Sequence, residues 1–419
     1  MAQVAGESVA ERFRQLYGAA PEGVWEAPGR VNLIGEYTDF NGGFVMPLAL
    51  PHTAVAAVSR RTDGLLRLHS ADVSRGVIEL DVAGLAPADG GGDSGGDTGQ
   101  DSGGDTGQDS GGGTGRGIGQ DIGWAAYPAG VVWALREAGH PVTGADLHLA
   151  SAVPTGAGLS SSAALEVVTA LALNDLYELG LTAPELAVLA QRAENAFVGV
   201  PCGVMDQMAS ACCTDGHALY LDTRDLTQHQ VPFDLAAHGL QLLVVDTRVK
   251  HALGDGAYAE RRAGCETGAR ALGVDLLRDI PYEELPGALD RLADEGENVR
   301  RYVRHVVSED HRVEQVIALL DAGDVRAVGP LLVEGHASLR DDLRVSCPEL
   351  DLAVSASVDA GALGARMTGG GFGGSAIVLV AEADADAVAG SVAESFAAAG
   401  HRRPRIFPAV PSRGARRVS

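Results

Sequence analysis

The sequence predicts an α+β protein built as two lobes. Three observations lead there. The chain has 419 residues, too long for one ordinary compact domain and suited to two. Hydrophobic residues make up 46% of it, enough for real cores. Strand-like and helical stretches are mixed but do not alternate as regular βαβ units, which favours α+β over a doubly wound dinucleotide-binding sheet.

The elements follow in order. Val9, Phe13 and Leu16 share one side of a helix over residues 8 to 17, and Gly18 ends it. Trp25 to Ile34 reads as a strand interrupted at Pro28-Gly29, and Phe44 to Val58 as further strand. From about residue 87 to 121 the composition changes abruptly. Asp93 to Gln100 reads DSGGDTGQ, Asp101 to Gln108 repeats it, and Asp109 to Arg116 repeats it imperfectly. The repeats hold no apolar residue to offset the entropy of ordering, so a flexible acidic insertion is expected. A calcium-binding roll would need a recurrent apolar position, and none is present.

Order resumes at Trp124, with helix continuing over Trp133 to Gly139 and a strand through Leu147, Leu149 and Val153. Ser162 to Leu179 reads as a helix closed by Gly180. Pro184 to Val198 reads as another, with proline near its start and Gly199 after its end. Leu240 to Val249 and Ser375 to Val380 read as buried strands, and Asp384 to Ala399 as a helix closed by Gly400.

Charge and cysteine content exclude several functions. The formal net charge of −24 repels phosphate backbones and anionic membranes, so neither nucleic acid nor membrane is an expected partner. Five cysteines without a CxxC pair form neither a disulfide framework nor a zinc pattern, which favours a cytoplasmic location. Met1 to Leu16 lacks the apolar core of a signal peptide, and no apolar run approaches the length of a membrane span.

Four clusters can carry chemistry. Pro154-Thr155-Gly156-Ala157-Gly158-Leu159-Ser160-Ser161-Ser162-Ala163-Ala164 follows a strand and opens a helix. Glycines there allow close backbone approach, helix-start amides attract anions, and a serine can ligate magnesium beside a phosphate. No Gly-Lys-Ser/Thr follows, so this is not a Walker loop; a plain loop with a serine N-cap is the equal alternative. Thr368 to Ser375 holds five glycines in six positions, either a hairpin turn or, somewhat favoured, a functional loop. Ala27 to Gly43 places Arg30, Glu36 and Asp39 among apolar residues and glycines. Carboxylates in such a loop suit sugar hydroxyls, although a surface ion pair is the simpler reading. Glu194 and Asp206 lie twelve residues apart across a turn containing Pro201 and Gly203; one could hold a metal and the other receive a proton, or both could be helix caps.

In this order, the four clusters resemble the GHMP small-molecule kinases, most closely the galactokinase family. Gly29 to Gly43 is similar to that family's sugar signature, Gly156 to Ala163 to the superfamily's ATP-phosphate loop, and Thr368 to Ser375 to its third motif. The resemblance spans nearly the whole chain apart from the acidic insertion. It implies an N-terminal lobe like ribosomal protein S5 domain 2 over 1–212, a ferredoxin-like C-terminal lobe over 213–419, with the boundary near residues 210 to 220, and a site between them. It implies an ATP- and magnesium-dependent kinase that phosphorylates galactose at C1, working as a monomer.

By position, the resemblance assigns catalysis to Asp206 and Arg30, and galactose to Glu36, Tyr37, Thr38, Asp39, Gly203 and Tyr258. It assigns ATP to Gly156, Ala157, Gly158, Leu159, Ser160, Ser161 and Ser162, with Trp124 and Tyr127 near adenine and Ser70 as a further contact. It assigns magnesium to Ser162 and Glu194. Tyr37 departs from the pattern, standing where the family usually has histidine, which opens the question of the sugar's outer hydroxyls. A kinase for a related sugar and a non-catalytic galactose and ATP sensor are the rival readings; the intact serine run, Asp206 and Arg30 disfavour the sensor.

Overall fold

A computed structural model describes residues 2–73, 76–87, 122–249 and 254–419, with side chains from residue 8 and, after the last break, from residue 256. The acidic repeat falls on residues 88–121, outside the described residues. Helix α1 (Ala2–Tyr17) ends just before Gly18, as the periodicity predicts. Strand β1 (Gly23–Asn32) is buried along its whole length, and β2 (Phe44–Val45), β3 (Pro47–Arg60), β4 (Leu65–Ser70) and β5 (Ile78–Asp81) follow. After the insertion come α2 (Ala126–Glu137), β6 (Ala145–Ser151), α3 (Ser161–Leu176), α4 (Ala183–Arg192), α5 (Met205–Cys212), β7 (His217–Asp222) and β8 (Gln228–Pro232).

The rest comprises β9 (Leu240–Asp246), α6 (Gly254–Leu272), α7 (Leu285–Arg291), α8 (Glu297–Asp321), α9 (Val328–Ser338) and α10 (Pro348–Asp359). The chain then runs through β10 (Gly364–Thr368), β11 (Ser375–Ala381), α11 (Ala385–Ala398), β12 (Arg405–Pro408) and β13 (Arg416–Arg417). The predicted strand to Val249 stops at Asp246, because Thr247 turns its hydroxyl and amide onto the Gly374 carbonyl at 2.7 and 3.0 Å.

The described strands form three sheets. The first runs β13-β1-β3-β6-β4-β5, the second β10-β11-β9-β12 and the third β2-β7-β8. Within these pairings only β4 with β6 is parallel. The predicted interruption of β1 is real: its register against β3 shifts between Pro28 and Arg30. Such a bulge bends a strand and re-aims the next side chain, here Arg30.

The alternation of strand side chains divides the second sheet between two cores. Leu240, Leu242 and Val244 of β9, with Ile377 and Leu379 of β11, join the core around β1, β3 and α3. Leu243 and Val245, with Ala376, Val378 and Val380, join the core under α8, α10 and α11. Both faces are covered, so these strands read as unbroken apolar runs.

Candidate active site

Three segments far apart in the chain meet where the lobes join. The loop after β1 docks on the β10–β11 connection: Asn32 N–H donates to Thr368 Oγ1 at 2.9 Å, and the Tyr37 hydroxyl donates to the Gly370 carbonyl at 2.7 Å. The loop before α3 docks on the same two neighbours. Arg30 N–H donates to the Leu159 carbonyl at 3.1 Å, the Arg30 guanidinium to the Gly158 carbonyl at 2.7 Å, and the Ser375 hydroxyl to the Ala157 carbonyl at 2.7 Å.

Between these segments lies a cavity of about 390 Å³, the size of a small-molecule site. Arg30, Glu36, Tyr37 and Asp39 reach it from the first segment, Tyr127 and Ser162 from the starts of α2 and α3, and Glu194, Gly203 and Asp206 from around α5. Tyr258 reaches it from α6, and Gly369, Gly370 and Phe372 from the glycine-rich connection. That connection does join an antiparallel hairpin, yet three of its residues face the cavity.

Arg30 and Asp206 form one wall. Their side chains pair at 2.6 Å, with Arg30 almost fully buried and the Asp206 side chain 27% exposed. The other Asp206 oxygen accepts from the Ser160 hydroxyl. Ser160 has a left-handed backbone, with φ +59, and makes no side-chain cap on α3. The plain N-cap reading of the serine run therefore fails: the hydroxyl that would have capped the helix serves Asp206. Asp206 is itself no cap, being the second residue of α5.

Glu194 sits on a π-helical turn, Ala193–Val198, that continues α4, a distortion frequent at functional sites. Its carboxylate accepts from Gln207 Nε2 at 2.6 Å, with the Ser162 side chain close by. Burial first, and then the negative charge of Asp206, raise its carboxyl to about 7. Gln207 Nε2 also donates to Glu166 at 3.1 Å. Burial and the neighbouring Glu194 push the Glu166 carboxyl well above its ordinary range.

The opposite end of the cavity has an aromatic side. The rings of Tyr37 and Tyr258 lie 5.1 Å apart, and Phe40 is 5.7 Å from Tyr258. Burial, and then the like charge of Asp206, raise the Asp39 carboxyl to about 6. Gly203 is required beside it, since a Cβ there would stand 1.8 Å from Asp39 Oδ2. Burial raises Glu36 to about 7 against the pull of the Arg366 guanidinium. The surface-ion-pair reading of this segment fails too, because Arg30 is 4% and Glu36 1% exposed.

Other expected residues stand outside the cavity wall. The fully buried Thr38 hydroxyl lies 2.8 Å from the Gly35 carbonyl and 2.6 Å from that of Phe44. Ser70 ends β4 and its hydroxyl accepts from Asp72 N–H at 3.2 Å. Trp124 packs half-buried against the core before α2. Gly156 is exposed, Ala157 and Leu159 are buried, and Ser161 opens α3. Sequence reasoning missed Glu166, Gln207, Glu309 and Arg366. Glu166 was findable, lying four residues after Ser162 on one helix face; Gln207 adjoins Asp206. Glu309 and Arg366 carry no local signal.

Known families match the same segments. A model of the galactokinase galactose-binding signature matches residues 11–60, and models of the GHMP kinase N-terminal and C-terminal domains match 126–214 and 316–398. The galactokinase of Streptomyces coelicolor is 64% identical over 418 residues, covering 100% of both chains. This chain belongs to the galactokinase family. The human galactokinase is 41% identical over 369 residues, covering 88% of this chain and 86% of that one. A crystal structure of Lactococcus lactis galactokinase complexed with galactose superposes with a TM-score of 0.87 at 30% identity, covering 98% and 99%.

Methanococcus jannaschii mevalonate kinase, at 17% identity and a TM-score of 0.61, shares the fold, covering 93% of this chain and 98% of that one. The expected two-lobed α+β GHMP kinase architecture is thus the observed one. The galactokinase signature contains Arg30, Glu36 and Asp39, and the N-terminal domain contains Ser162, Glu194 and Asp206. Tyr258 and Glu309 fall between matched segments.

Proposed function

We propose that this protein transfers the γ-phosphoryl group of ATP to the C1 hydroxyl of galactose. The observation that carries the reading is the Arg30–Asp206 pair, which stands between a hydroxyl-recognising recess and the start of α3. Phosphoryl transfer asks mainly for positioning and charge neutralisation. Glu36 and Asp39 accept hydrogen bonds from sugar hydroxyls, the Tyr37–Tyr258 face covers the apolar side, and Gly203 leaves room for both. Thr38 acts in this reading by holding the loop. Asp206 orients the C1 hydroxyl and accepts its proton, while Arg30 offsets charge on the transferring group. The loop Gly156–Ser162 and the first amides of α3 take the phosphates. Trp124 and Tyr127 flank adenine, and Ser70 is a further nucleotide contact.

Glu194, Asp206, Asp39 and Glu36 crowd the cavity with carboxylates, and Arg30 is already paired. A triphosphate entering there needs a counter-charge. Ser162 and Glu194 offer adjacent hard oxygen donors, the number magnesium takes when phosphate oxygens complete its shell. Bound there, magnesium would neutralise charge on the phosphates. Within the same proposal the chain is a cytoplasmic monomer, and its five cysteines are free thiols. Among the described residues no helix is long and apolar enough to cross a membrane.

The test is incubation with ATP, magnesium and galactose, read by phosphorus NMR beside a panel of related sugars. Galactose 1-phosphate as the preferred product is expected. Preferred turnover of another sugar, or binding without turnover, would sink the assignment.

A further inference from the structure

Behind Glu36 lies a buried ionic chain that the reaction itself does not use. Arg366 of β10 is 0% exposed and pairs with two carboxylates, Glu36 and, at 2.7 Å, Glu309 of α8. Glu309 accepts from Arg312 Nε at 2.9 Å and from the Gly35 amide, also at 2.9 Å. His305 Nε2 lies 3.0 Å from the Glu36 carbonyl oxygen, which can only accept, so that nitrogen carries the proton. Gly335 is cut to fit, because a Cβ there would stand 2.6 Å from Arg366 Nη1.

We propose that Arg366, gripped by Glu309, is a positioning residue that fixes the Glu36 carboxylate against the sugar and ties that orientation to the docking of the two lobes. The inference rests on the galactose reading above. Three contacts from the second lobe converge on residues 35 and 36. Glu309 holds the backbone amide, His305 the carbonyl and Arg366 the carboxylate. Both carboxylates meet Arg366 at Nη2; its rigid, delocalised guanidinium holds that nitrogen in place, whereas an ammonium is a point charge on a flexible stem. Two acids and two guanidiniums balance, so removing either Arg366 or Glu309 leaves buried charge uncompensated. The groups acting on Glu36 are Arg366 from β10, Glu309 and His305 from α8, and Arg30 from β1. His336 of α9 faces Arg366.

The experiment compares wild type, Arg366→Lys and Glu309→Gln by steady-state kinetics across pH 5 to 9, with thermal melts of each. Arg366→Lys should raise KM for galactose about tenfold or more, while kcat and KM for ATP change by no more than about threefold. The two variants should move the acid limb of kcat/KM for galactose in opposite directions. Weakening the cation favours protonated Glu36 and shifts the limb upward. Removing the rival carboxylate leaves Arg366 to Glu36 and shifts it downward. A generic structural defect would not split the direction.

Shifts of the same sign, no shift, or a loss confined to kcat would overturn the proposal. If Arg366→Lys fails to fold, the downward shift in Glu309→Gln decides. A wild type that makes no galactose 1-phosphate overturns the sugar reading and this inference together. A wild type that makes it, with variants unchanged in KM and limb, overturns this inference alone.

Discussion

The two ends of the cavity handle charge differently. At the transfer end, Asp206 keeps 27% of its side chain exposed and leans on one guanidinium and one hydroxyl. At the sugar end, Glu36 is 1% exposed and locked to Arg366, which is locked to Glu309. Under the proposed reaction the contrast separates two duties. A group that takes a proton and faces moving phosphates must remain free to change partners. A group that recognises fixed hydroxyls gains from having its freedom removed beforehand.

The largest expected effect tests the free end. Asp206→Asn keeps the size and the Ser160 contact but cannot accept the C1 proton. Turnover should fall by about 10²- to 10⁴-fold, the usual scale for losing a general base, with the galactose dissociation constant little changed. Single-turnover rates beside calorimetric binding would check this, and an unchanged rate would remove Asp206 from the chemistry.

The fixed end is sharpened by Gly203→Ala. A Cβ 1.8 Å from Asp39 Oδ2 must push the carboxylate or the loop aside. Displacement on that scale should lower kcat/KM for galactose about 10- to 100-fold, mostly through KM. Initial rates against galactose concentration measure it; a variant with native KM would mean that Asp39 does not touch the sugar.

The smallest effect concerns the support beneath the sugar loop. Asp310 Oδ1 accepts from Phe44 N–H at 2.8 Å, while its buried Oδ2 has no hydrogen-bond partner. Burial raises its carboxyl to about 8, far above that of an unfolded aspartate. The folded state therefore favours the neutral acid; the stability this gives is whole below the ordinary aspartate range, declines as pH rises above it, and is gone once pH passes about 8. Asparagine mimics the neutral acid at every pH. Asp310→Asn should melt close to wild type at pH 4 and about 2 °C or more above it at pH 9. A gap that does not widen with pH would refute the assignment.

The transfer end was the more legible in the sequence because its parts are local. A strand, a serine run and a helix start sit within a dozen residues, and the glycines and hydroxyls mark the loop by themselves. The interruption of β1 at Pro28-Gly29 and the closures at Gly18, Gly199 and Gly400 were equally readable, since proline and glycine act on their own backbone. What physics left open at Ser160, Asp206 and Arg30 was settled only by partners 46 to 176 residues away. The brace behind Glu36 could not be read at all. Arg366 and Glu309 stand in ordinary strand and helix sequence, and nothing local distinguishes a charge destined for burial from one destined for water.

The last strand of the first sheet carries a consequence for biosynthesis. Strand β13 pairs with β1 at Trp25 and Glu26, and Val418 N–H donates to the Val24 carbonyl at 2.8 Å. The strand bearing Arg30 thus receives its outer neighbour only after residues 416 and 417 have left the ribosome. Until then a nascent chain presents that edge bare, open to pairing with whatever extended peptide comes near.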